Sequence, residues 1–138
     1  MMRLHEVLVA LAMLLFSGAS LAEQPRPENY RAEYDGCVKD ATEKGFGGSA
    51  ALEECTEGIT DVAKREMNVL YKRIHDALQV KNATDAVAFE KSQRAWLEYR
   101  NMHCDLEQKY IGGPETAICP MDLDIERVNK LRRLSTGL

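Results

Sequence analysis

The chain has 138 residues, with 18 Lys and Arg against 22 Asp and Glu, for a formal net charge of −4. This length bounds one small domain with a modest core, and the absence of a basic stripe argues against nucleic acid as a partner. The mild acidity permits a basic protein partner, which an acidic surface would steer.

The segment from Met1 to Ala22 reads as a cleaved signal peptide. Arg3 opens it, and Val7 to Phe16 is an apolar run too short to span a bilayer comfortably. Ser20 and Ala22 are small residues at the two positions a signal peptidase reads, which predicts cleavage between Ala22 and Glu23. Residues 23–138 are then the mature domain, periplasmic or secreted, with no stable membrane insertion after cleavage. After a polar lead-in, a first helix is expected near Glu28, with Tyr30, Tyr34, Cys37 and Ala41 on one face. Lys44-Gly45-Phe46-Gly47-Gly48 ends it as a turn.

A long second helix begins near Ser49 and runs to about Lys81, with Leu52, Cys55, Ile59, Val62, Met67, Leu70, Ile74 and Leu78 at helical spacing. Gly58 is a weak point at which this helix can bend or break. Its outer face carries Glu53, Glu54, Glu57 and Asp61, followed by Lys64, Arg65, Lys72 and Arg73. Thr84 is the expected cap of a third helix reaching Tyr110. That helix holds the only tryptophan, Trp96, expected as the centre of the core where the second and third helices meet. Phe89, Tyr99, His103, Leu106 and Tyr110 are read as continuing its face. Gly112-Gly113-Pro114 stops it, Glu115 to Cys119 is read as a connection, and a fourth helix is expected from about Asp122 to Leu134. Leu123, Val128, Leu131 and Leu134 are its candidate core positions.

Cys37, Cys55, Cys104 and Cys119 form an even set in a small exported chain, which reads as two disulfides. Of the three connectivities, Cys37–Cys55 and Cys104–Cys119 are preferred, because each pair flanks a glycine-containing connection between helical segments. The fold class is therefore all-α, a small disulfide-stapled bundle of about four helices. No Cys-x-x-Cys spacing exists and the histidines are scattered, so no metal is assigned. No cofactor motif and no nucleophile–base–orienter set is found, so no catalytic residue is assigned either.

Cys55 with Glu57, then Met67-Asn68 and Tyr71, resembles the Cys…Leu-Asn-x-x-Tyr signature of the LprI-like lysozyme inhibitor family. Gln93-Arg94-Ala95-Trp96 with Tyr99, Arg100 and Cys104 is similar to that family's Gln-Arg-x-Trp…Arg-Asp…Cys pattern. Tyr110, Gly112-Gly113, Cys119, Arg127 and Leu131 resemble its ending, Tyr-x-Gly-Gly…Cys…Thr-x-x-Arg…Leu. The chain departs from the pattern at Lys64, often aspartate, and at Met67, usually leucine. Asn101 stands for the aspartate after Arg100, and Asp124 for the threonine before Arg127.

The resemblance implies an exported, non-enzymatic binding protein that inhibits lysozyme or another peptidoglycan hydrolase by direct protein–protein contact. The alternatives are a periplasmic interaction or immunity protein with a different client, and an undetected hydrolase. The motif residues Asn68, Tyr71, Gln93, Arg94, Trp96, Tyr99, Arg100, Gly112, Gly113 and Arg127 read as a fold signature. Candidate partner contacts are Glu53, Glu54, Glu57 and Asp61 on the acidic face, and Glu115 in the loop beginning at Gly112.

Overall fold

A computed structural model of the chain describes residues 29–113 and 115–138, apart from the Glu115 side chain. The expected signal peptide, its cleavage point and the lead-in to Glu28 lie outside these residues. Four helices follow in order: α1 Tyr30–Glu43, α2 Ser49–Lys81, α3 Ala83–Tyr110 and α4 Glu115–Thr136. No strand occurs among the described residues.

Local chemistry sets the helix ends. The Asn29 side chain accepts hydrogen bonds from the amides of Arg31 and Ala32, at 3.1 and 3.2 Å, and so caps α1. At the other end the Gly45 amide donates to the Thr42 carbonyl and the Phe46 amide to Ala41, with Gly45 at φ +82°. This pairing satisfies carbonyls that a helix terminus leaves open, and its left-handed residue favours glycine. Between α2 and α3 the turn is a single residue. The Asn82 amide closes α2 on Leu78, while its side chain accepts from the Thr84 amide at 3.0 Å. Asn82, not Thr84, is therefore the cap of α3: its extended backbone frees the side chain to reach forward, and Thr84 already lies inside the helix.

α4 begins at Glu115, seven residues before the expected Asp122, and runs through Pro120. Proline at this position forfeits one bond, to the Thr116 carbonyl. The turn ahead of it is held by Thr116, which bonds Gly113 through both its amide and its hydroxyl, and by the Cys104–Cys119 bridge. Gly58 does not break α2, which is one continuous helix.

The most extensive packing is between α2 and α4, with α1 and α3 against their flanks. Tyr30, Ile74, Met121, Val128 and Leu131 are the innermost apolar side chains, ringed by Tyr34, Cys55, Met67, Leu70 and Phe89. Trp96 is not that centre. It is half-buried, packed against the core's edge, with Arg100 of α3 and Arg127 of α4 each 5.5 Å from its ring. The seam it occupies lies between α3 and α4 because α4 supplies the apolar partners of α2. For the same reason Tyr99, Leu106 and Tyr110 do not continue a buried face and are exposed, as is Leu134.

Both bridges have the expected pairing, Cys37–Cys55 and Cys104–Cys119, closing separations of 18 and 15 residues. Each contributes about 3 kcal/mol in the chain-entropy account. Verified reduction should therefore lower the melting temperature measured by circular dichroism, and an unchanged value would contradict the assigned role. Gly58→Ala should act in the opposite sense. The site is exposed, helical and at negative φ, and an added Cβ would meet nothing within 4 Å. The variant should gain about 1 kcal/mol and melt a few degrees higher.

Candidate functional site

The motif residues fall into four places. Asn68 and Tyr71 of α2 and Gln93, Arg94 and Arg100 of α3 line one cleft of about 470 Å³, together with Lys64, Met67, Glu90 and Leu97. Trp96 and Arg127 stand behind it, at the α3–α4 seam. Gly112 and Gly113 lie apart, at the end of α3, with φ of +67° and +85°. Tyr99 is exposed and stacks on His103 at 5.4 Å.

A polar network joins α3 to α4 beneath the cleft. Gln93 is only 8 % exposed, and its Oε1 accepts from Arg127 Nε at 2.9 Å. Its Nε2 is thereby turned the other way and meets the Met67 sulfur at 3.4 Å. Burial pulls the Arg127 guanidinium's pKa down, and that cation rests on a neutral amide and the Trp96 ring. Arg100 donates to Asp124 Oδ1 at 2.7 Å and to Asn101 Oδ1 at 3.1 and 2.9 Å. Arg100 of α3 thus finds its carboxylate on α4, in Asp124.

Asp124 is fully buried and its Oδ2 has no hydrogen-bond partner among the described residues. Burial raises its pKa above the usual carboxylate value, against the opposing effects of Arg100 and Lys64.

The acidic residues form a separate surface. Glu53, Glu54, Glu57 and Asp61 are all exposed, and none has an ion-pair partner among the described residues. Glu54 also lines a groove of about 1070 Å³ between α1 and α2, with Glu33 and Asp40 across it and Phe46, 73 % exposed, at its lip. Phe46 and this groove were missed in the sequence because a loop aromatic carries no periodic signal. The side chain of Glu115, the remaining candidate contact, lies outside the described residues.

His103, Glu107 and Cys119 bring ligand atoms within 4.8 Å of one another. The Cys119 sulfur is bonded to Cys104, so it offers no thiolate, and the His103–Glu107 pair at 3.1 Å is an i,i+4 contact on α3. His75 stacks on Tyr71 at 5.8 Å, and Tyr71 on Phe89 at 5.4 Å.

These features define a disulfide-stapled helical domain that presents two charged surfaces. No described helix is long and apolar enough to cross a membrane. The sequence pattern of the family described as lysozyme inhibitor LprI matches residues 37–131, from the first cysteine to the last core leucine of α4. The chain belongs to this inhibitor family. No curated protein and no solved structure matches it.

Asp124 generates a pH-dependent prediction. Its pKa is raised from 3.8 in the folded chain, so the fold holds this proton to higher pH than the unfolded chain does. Its contribution to stability is fully present below the unfolded value and is lost as pH rises through the folded one. Asp124→Asn removes that slope. Urea unfolding at about pH 4 and pH 7 should show the stability of wild type falling relative to the variant at the higher pH. A relative stability that is constant, or that shifts the other way, would contradict the raised pKa.

Proposed function

We propose that this protein is exported and inhibits lysozyme or another peptidoglycan hydrolase by direct contact, with no enzymatic activity of its own. Family membership supports the inhibitor class. The apolar run at residues 7–16 and the small residues before Glu23 support export.

The observation that carries the contact surface is the acidic face of α2, unpaired among the described residues. Glu53, Glu57 and Asp61 recur four residues apart, with Glu54 beside them, so the carboxylates share one side of the helix. Exposed like charges without partners raise the local field, which steers a cationic protein and favours its docking. A basic hydrolase fits this surface. Docking beside its substrate cleft would exclude the polysaccharide without any contact to the catalytic groups. The Glu33 and Asp40 side of the α1–α2 groove extends the same charge, and Phe46 adds an apolar anchor at its edge.

The test uses the whole chain produced with its own leader, purified oxidised, and titrated against several lysozyme types. Inhibition should saturate near one to one and weaken with salt. Glu53→Gln, Glu57→Gln and Asp61→Asn together should weaken it about tenfold or more without changing the melting temperature. Absence of inhibition across all types would overturn the reading. Undiminished inhibition by the neutralised variant would remove the acidic face from it.

A further inference from the structure

The cleft between α2 and α3 is not used by the acidic docking surface, and its chemistry is the opposite. Lys64 is exposed and has no ion-pair partner among the described residues. Arg94 holds Glu90 through one nitrogen, Nη2, at 2.8 Å, with its side chain 78 % exposed. Arg100 supplies a third cation whose counter-charge, Asp124, lies buried on α4. Glu90 is the one carboxylate in the lining, and Arg94 already occupies it.

The donors are also arranged by the fold. The Gln93 amide is fixed by Arg127, which takes its oxygen. Its amino group, nine-tenths buried, faces the cleft-lining Met67 and has only a thioether as acceptor. A thioether is a weak acceptor, and an amide nitrogen carries two hydrogens, so this group has unused donor capacity. The Asn68 amide, with no hydrogen bond among the described residues, lies on the same wall. The Tyr71 ring is held in place by Phe89 and His75. Leu97 and Met67 complete an apolar surface beside the donors, and Leu97 is 37 % exposed.

From this we infer that the α2–α3 cleft binds a small organic carboxylate that carries an apolar or aromatic group. The carboxylate is an acceptor-only anion, matched to Lys64, Arg94 and the Gln93 amino group. The apolar part covers Tyr71 and Leu97. A cleft of this size lies within the range for small ligands. The proposed ligand is a free small molecule. The inference does not depend on hydrolase inhibition.

Benzoate is the probe, titrated into the whole oxidised, nitrogen-15-labelled protein, with neutral benzamide as the control. Benzoate should give saturable shifts at the side-chain amides of Gln93 and Asn68, and benzamide none. Lys64→Gln and Arg94→Gln, both at exposed positions, should each weaken benzoate binding about fivefold or more. The same spectra report whether the variants are folded. Lack of a saturable shift, equal binding of benzamide, shifts centred elsewhere, or unchanged affinity in both variants would each overturn the inference.

Discussion

Glu66 is a carboxylate inside the core, 5 % exposed, and the packing of three helices converges on it. Arg132 of α4 donates to both its oxygens, at 2.8 and 2.7 Å, and the Tyr30 hydroxyl of α1 donates at 2.5 Å. The Arg132 guanidinium also lies 5.4 Å from the Tyr30 ring. Burying an ion pair gains little over an apolar substitute, but removing one partner leaves a charge in the interior at a cost of about 3–5 kcal/mol. The network ties α1 and α4 to one point on α2. α1 is short, with only Tyr30 and Tyr34 buried, so this contact holds its start and the Cys37–Cys55 bridge its middle. The groove between α1 and α2 inherits its shape from them.

Periodicity made the apolar skeleton legible. Leu70, Ile74, Val128 and Leu131 announce themselves at helical spacing and are buried. The cysteine pairing was also readable, because each bridge spans one turn of the chain. Polar core positions were not. Nothing local in the sequence distinguishes Glu66, buried on α2, from Glu57 nine residues earlier, which is exposed. The difference is made by Arg132, 66 residues away. Trp96 misled for a related reason. Size suggests a centre, but the two arginines over its ring hold it at the seam, where the indole keeps one side towards cations. The start of α4 was not legible, since Pro120 stands inside the helix and the bridge that holds the preceding turn is no local signal.

The motif carried by Gln93, Arg94, Trp96 and Arg100 is both fold and surface. Trp96, Arg127 and Asp124 form the inner half, which fixes α3 against α4. Arg94, Asn68 and Tyr71 form the outer half, on the cleft. Gln93 and Arg100 belong to both, each giving one end of its side chain to the seam. Spacing along the chain cannot separate these roles, because consecutive helical residues point in different directions. The Arg100–Asp124 pair shows the same point. Its members lie 24 residues apart and meet only where α3 packs on α4.

The two charged surfaces share one helix. Glu53, Glu57, Asp61, Lys64, Asn68 and Tyr71 follow one another at intervals of four or three residues, so a single stripe of α2 changes sign along its length. Asp61 and Lys64, where the sign changes, are one turn apart, a rise of about 4.5 Å and well inside the screening length of about 8 Å at physiological salt. A basic protein on the acidic half and a small anion in the cleft would therefore feel each other's charge. Their geometry is coupled as well, because α2 is unbroken through Gly58 and moves as one rod. Salt weakens the electrostatic coupling while the helix fixes the separation. Neutralising Asp61 should thus also favour an anion beside Lys64, whereas loosening α2 itself would disturb both surfaces.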